Sequence, residues 1–82
     1  MDLISFTESL VKSIVNDSEM VTVKEFPTDD DNSILIQVIV SSDDIGKIIG
    51  KNGKVINAIK TLVQASSYIK DNKNVKINVD NF

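Results

Sequence analysis

The chain has no cysteine, no histidine, no tryptophan and no arginine, and only one proline and three glycines among its 82 residues. Without cysteine there is no disulfide framework and no thiolate metal site. Nothing then requires an oxidising compartment. With histidine and cysteine both missing, the commonest general base and the thiol nucleophile are gone, which argues against an enzyme and leaves no cofactor or metal to expect. Without arginine, no planar fork can grip a phosphate through two hydrogen bonds. Aromatic rings are few: Phe6, Phe26, Tyr68 and Phe82. No apolar run approaches the roughly 20 residues of a membrane span. The first residues, MDLISFTESL, carry acids where a signal peptide carries lysine or arginine. The expected location is the cytoplasm.

What is present fits one small globular domain, residues 1–82. Apolar residues make up 41% and charged residues 26%. A chain of this size buries only about 60% of its unfolded surface, so a deep internal pocket is not expected. The net charge is −3, but the charges are unevenly placed. Between Ile45 and Ile69 there are Lys47, Lys51, Lys54 and Lys60 and no acid; all twelve acids lie outside that window. Beyond a Debye length of about 8 Å a local field depends on nearby charges more than on the total, so an acidic chain can carry a basic face.

Apolar residues at Leu3, Phe6, Leu10 and Ile14, with Val11 and Val15 beside them, predict a helix over 3–16, capped by Asp2. Residues 20–26 alternate and predict a strand. Residues 27–32, with Asp29, Asp30 and Asp31, form an acidic turn; such acids are turn residues before they are cation ligands. Residues 34–40 are almost wholly apolar and β-branched, broken only by Gln37, and predict a covered strand, paired with the first as a hairpin. Ser41 and Asp44 have the spacing of a capping box at the start of a short second helix. A third helix spans about 54–69 with a main apolar stripe of Val55, Ala58, Ile59, Leu62, Ala65 and Ile69. Val75, Ile77 and Val79 alternate in a last strand. The order α-β-β-α-α-β implies an α+β fold with three helices on one face of a three-stranded mixed sheet.

All three glycines fall in one stretch, IGKIIGKNGKVI, residues 45–56. Glycine beside lysine suggests a loop that meets phosphate. A P-loop needs four residues between its glycines, and Gly46 to Gly50 leaves three; Asn52 stands where its hydroxyl belongs. A dinucleotide fingerprint fails too, because Ile48 occupies the place of its second glycine. By contrast, residues 48–56 resemble the helix–Gly-x-x-Gly–helix signature of the KH domain, and Gly46 falls where many members have a glycine in the preceding helix. The element order resembles the type II form of that fold, and the length resembles the small stand-alone bacterial KH proteins of the KhpA family.

This resemblance implies a non-catalytic binder of single-stranded RNA. Gly50 and Gly53 let backbone approach a sugar-phosphate chain, the third helix offers its positive end, and Lys51 and Lys54 add charge. Such a loop clamps about four nucleotides. Lys51 is assigned to phosphate, Asn52 to a polar contact or helix cap, and Lys47 to the basic rim. Bases are expected in an apolar groove whose helical floor draws on Ile45, Ile48, Ile49 and Ile56; plain core packing is the other reading of these isoleucines. With no arginine and no ring in the loop, affinity is expected to be modest and sequence preference slight. Ile56 and Val63 lie off the main stripe of the third helix, with Lys60 nearby. Either the sheet covers them or they meet a partner. The family resemblance implies a homodimer and a heteromer with a larger KhpB (Jag-like) KH protein. The rival reading is a protein-interaction module with a degenerate KH fold.

Overall fold

A computed structural model describes residues 2–82. Helix α1 spans Leu3–Lys12, and the Asp2 carboxylate caps it by accepting the Ser5 N–H at 2.7 Å. The helix stops earlier than its apolar periodicity predicts. The Ser13 hydroxyl donates to the Leu10 carbonyl, and the Asn16 and Asp17 amides turn away to the side chain of Asp44. A single 3-10 turn at Ser18–Met20 follows, so β1 begins at Thr22, two residues later than expected, and ends at Pro27.

Strand β2 spans Ser33–Val40. It pairs antiparallel with β1 in a register that sets Thr22 opposite Ile39 and Phe26 opposite Leu35. The turn between them is held by Asp30, whose carboxylate accepts the Asn32 amide and the Ser33 hydroxyl. Strict alternation along β2 buries Ile34, Ile36, Val38 and Val40 on one face. Helix α2 is five residues long, Ile45–Ile49, and is followed by a 3-10 turn at Lys51–Gly53. Helix α3 spans Lys54–Lys70, and β3 spans Asn74–Asn81. Strand β3 pairs parallel with β2, Ser33 with Asn74 through Val40 with Asn81, so the sheet order is β1-β2-β3 and the sheet is mixed. A parallel pair needs a crossover, and α2 with α3 supplies it.

The core joins that one face of β2 to Leu3 and Val11 of α1, Ile48 of α2, and Ile59 and Val63 of α3. Burying each such side chain contributes about 1.5–3 kcal/mol. The capping box expected at Ser41 and Asp44 does not form. The cap position of α2 is Asp44 itself, and its side chain accepts no backbone amide of the helix.

The stripe expected on α3 is also corrected. The helix is rolled so that Ile59, Val63 and Ser67 are buried, with Val55 and Ile56 at the margin. Leu62 and Ile69 are 50% and 86% exposed, and Ala58 and Ala65 are exposed with them. The buried Ser67 explains the roll. Its hydroxyl donates to the Lys73 carbonyl at 2.8 Å, and Gln64 bonds the same carbonyl and the Val75 amide. The chain must reverse into β3 within three residues, and these polar bonds hold that side of the helix to the strand. Val63, expected at a protein interface, is fully buried against the sheet and has no surface to offer.

Candidate nucleic-acid interface

The glycine loop is built from four backbone conformations. Gly50 has φ 73° and ψ 177°, a region essentially reserved for glycine. A Cβ there would lie 2.8 Å from the Cβ of Val55 and 2.9 Å from its amide nitrogen, so the backbone of α3 would have to shift to admit it. Lys51 enters the 3-10 turn, Asn52 adopts the left-handed region (φ 57°, ψ 27°), and Gly53 does so too (φ 74°, ψ 13°). At Gly53 the nearest atom to an added Cβ is 3.7 Å away, so only its positive φ asks for glycine. Asparagine tolerates the left-handed region better than most residues, which fits Asn52 between the two.

The bend delivers the chain directly into α3. Gly53 is the N-terminal cap, and no side chain caps the helix. The positive end of a 17-residue helix therefore faces the loop. Lys51, Asn52 and Lys54 are all exposed around it. Among the described residues, neither lysine forms an ion pair. Lys47 differs: its ammonium lies 3.4 Å from the Asp44 carboxylate, which draws it back from the loop. Gly46 is exposed, with nothing within 4 Å of an added Cβ, so α2 presents bare backbone on that side.

The isoleucines divide. Ile48 is fully buried and belongs to the core, so it forms no groove floor. Ile49 is 44% exposed. Ile45 and Ile56 are half-buried and pack on the edge of the core. Beside them runs the free edge of β3. The Asn74 and Phe82 amides donate toward β2, so by ladder alternation the amides of Val75, Ile77 and Val79 point outward. Gln64 takes the Val75 amide at 2.8 Å, and the edge beyond it is open at Ile77 and Val79.

The roles of two residues that hold this site were not found from sequence. Asp44 is buried, and its two oxygens accept the amides of Asn16 at 3.1 Å and Asp17 at 3.0 Å and the Ser41 hydroxyl at 3.1 Å. The two backbone amides, Asp17 first, hold its carboxyl below the usual value of 3.8, against the opposing effect of burial. It thus ties the α1–β1 connection to the start of the α2–loop–α3 unit. The other residue is Gln64, a polar residue inside the β3-facing side of α3. The capping-box spacing drew attention to Asp44 but gave it a different role, and no local pattern marked Gln64.

The family described as KhpA/KhpB, KH domain, matches residues 5–79. RNA-binding protein KhpA of Clostridium perfringens is 40% identical over 72 residues, covering 88% of this chain and 92% of that protein. RNA-binding protein KhpA of Oceanobacillus iheyensis is 37% identical over 73 residues, covering 89% and 91%. Among solved structures, Era of Aquifex aeolicus bound to GDP and aluminium fluoride superposes with a TM-score of 0.72 at 18% identity, covering 98% of this chain and 30% of that one. Era in complex with MgGDPNP and nucleotides 1506–1542 of 16S ribosomal RNA gives 0.69 at 17% identity, covering 96% and 29%. At that identity the likeness concerns the fold.

Proposed function

The chain belongs to the KhpA/KhpB family of KH-domain proteins, and from that premise we propose that it is a non-catalytic binder of single-stranded RNA that works through its glycine loop. One observation carries the reading: a glycine-dependent bend at residues 50–53, packed so tightly that a side chain at Gly50 would strike Val55, set against the uncapped positive end of α3. A phosphate backbone would lie against the bare bend. Lys51 and Lys54 would neutralise it, with Asn52 as a neutral polar partner and Lys47 as a more distant charge. Bases would rest over Ile49 and the exposed margins of Ile45 and Ile56, with the open β3 edge at Ile77 and Val79 beside them. Ile48 supports that floor from the core.

Because only backbone and apolar surface face the bases, little sequence preference is expected, which suits an RNA chaperone or a post-transcriptional regulator. The fields and groups involved operate in a reducing cytoplasm without adjustment. No helix of the described residues is long and apolar enough to cross a membrane.

Titration of labelled single-stranded RNA over a range of salt concentrations tests the reading. Neutralising about four phosphates predicts a log–log slope near −3. The double substitution Lys51→Asp, Asn52→Asp should abolish binding while far-ultraviolet circular dichroism stays the same. Binding that survives it would remove the loop from the site.

A specific observation also favours self-association. Ala58, Leu62 and Ile69 form an exposed apolar stripe along α3, which a solitary domain has no reason to leave in water. This stripe, rather than Ile56 and Val63, is the surface on which we place a homodimer or a heteromer with a KhpB-like partner; Lys60 lies on a different side of the helix. Two modules joined in this way would bind a longer RNA by avidity.

A further inference from the structure

Beyond the glycine loop, α3 and the first residues of β3 form a shallow, open hollow of about 440 Å3, lined by Lys60, Thr61, Gln64, Ala65, Tyr68 and Val75. We propose that this hollow is a second nucleobase site, occupied by the RNA strand after it leaves the loop. The proposal rests on the RNA reading of the loop and extends it.

Four features point to a nucleobase. First, the site holds the chain's single tyrosine. The residue is 52% exposed, and its hydroxyl is anchored by donating to Asn74 Oδ1 at 3.0 Å. A tethered, open ring is a stacking platform that any base can use. Second, the floor is apolar, from Ala65 and Val75, as the face of a base requires. Third, the rim carries polar groups with capacity to spare. The Gln64 amide uses one N–H on the Lys73 carbonyl and its oxygen on the Val75 amide, which leaves one N–H. The Thr61 hydroxyl donates to the Asn57 carbonyl, which leaves its lone pairs. Fourth, the charge is of the right sign: Lys60 is on the wall, and no acid lines the hollow.

Position supplies the occupant. Lys60 lies about 9 Å along the helix axis from Lys54, on the flank of α3 that faces the β3 edge. The hollow therefore continues the surface assigned to RNA, toward the far end of α3. Gln64 marks the boundary between the two. By occupying the Val75 amide and the Lys73 carbonyl it closes the strand edge, so that beyond this point a base can be held by stacking but not by pairing with the strand. The second site should therefore accept any base.

The test compares a tetranucleotide with an octanucleotide of the same simple sequence, using the intact chain. The wild type should bind the octanucleotide more tightly and show a change in tyrosine fluorescence with it. Tyr68→Ala should weaken octanucleotide binding about 5- to 150-fold, the range that loss of one base–ring stack gives. It should leave tetranucleotide binding and the melting temperature unaltered. Tyr68→Phe should keep the affinity, because the ring remains. If Tyr68→Ala leaves octanucleotide affinity unchanged while Lys51→Asp still lowers it, the second site is wrong and the loop stands. If the wild type binds neither RNA, both readings fall. If tyrosine fluorescence follows protein dilution and not RNA, the hollow is covered by a second copy of the chain, and the proposal is overturned.

Discussion

At Gly50 two constraints coincide that Gly53 does not share. Gly50 combines a glycine-only backbone conformation with direct contact against the Val55 backbone, whereas Gly53 has only its positive φ. Gly53→Ala should cost about 1–2 kcal/mol, the left-handed penalty of an ordinary residue. Gly50→Ala should cost about 3 kcal/mol, because strain and overpacking add. Thermal or urea unfolding of the two variants measures the difference; equal losses would mean that the loop relaxes around Gly50. Single residues also account for what the sequence concealed. Ile48 and Ile49 are chemically identical neighbours, yet one is core and the other is surface, because successive helix positions lie about 100° apart.

Among the elements, the short α2 matters most for the site. Five residues are too few to hold a helix by propensity. Its place depends on Ile48 beneath it and on Asp44 at its start. Asp44→Asn keeps the shape but replaces one acceptor oxygen with a donor, which must then face the amide of Asn16 or Asp17. The expected result is faster amide hydrogen exchange at residues 16 and 17 and a lower melting temperature. Unaltered exchange there would show that the tether is not what holds the α1–β1 connection. The same carboxylate sets an acid dependence. Its folded pKa is depressed below 3.8, so at low pH the unfolded chain binds the proton more readily. The stability it contributes is intact above that value and is lost as the pH falls through the lower folded value. Asp2, held down chiefly by the Ser5 amide, acts in the same direction. Urea midpoints at pH 6 and pH 3 should therefore diverge, and by less in Asp44→Asn.

For the whole molecule, the question is how an acidic protein meets RNA. The answer is segregation. The acids stand on α1 and its connection to β1, on β1 and the β1–β2 turn, at Asp43 and Asp44 before α2, and at Asp71 and Asp80, while Lys51 and Lys54 stand at the loop without ion-pair partners among the described residues. Asp44 is the acid closest in sequence to the basic window, and it is turned inward. The exposed stripe of α3 belongs to this scale as well. Leu62→Asp should lower the apparent mass in sedimentation to that of a monomer of 9.0 kDa and weaken long RNA more than short. A variant that sediments like the wild type would place the contact elsewhere.

The element order, the mixed sheet and the glycine loop were legible in the sequence, because each rests on local chemistry. Alternation along residues 34–40 specifies a strand, and two glycines between two apolar helices specify a bend. Helix α3 was not legible in the same way. It carries two apolar stripes of comparable strength, and periodicity cannot say which one faces inward. Only the packed structure decided between them. Ser67 and Gln64 had to meet the backbone at Lys73 and Val75, and these hydrogen bonds turned Val63 into the core and Leu62 into water. The same turn opened the hollow beside Tyr68, a residue whose neighbours lie in another element and are therefore out of reach of any local pattern.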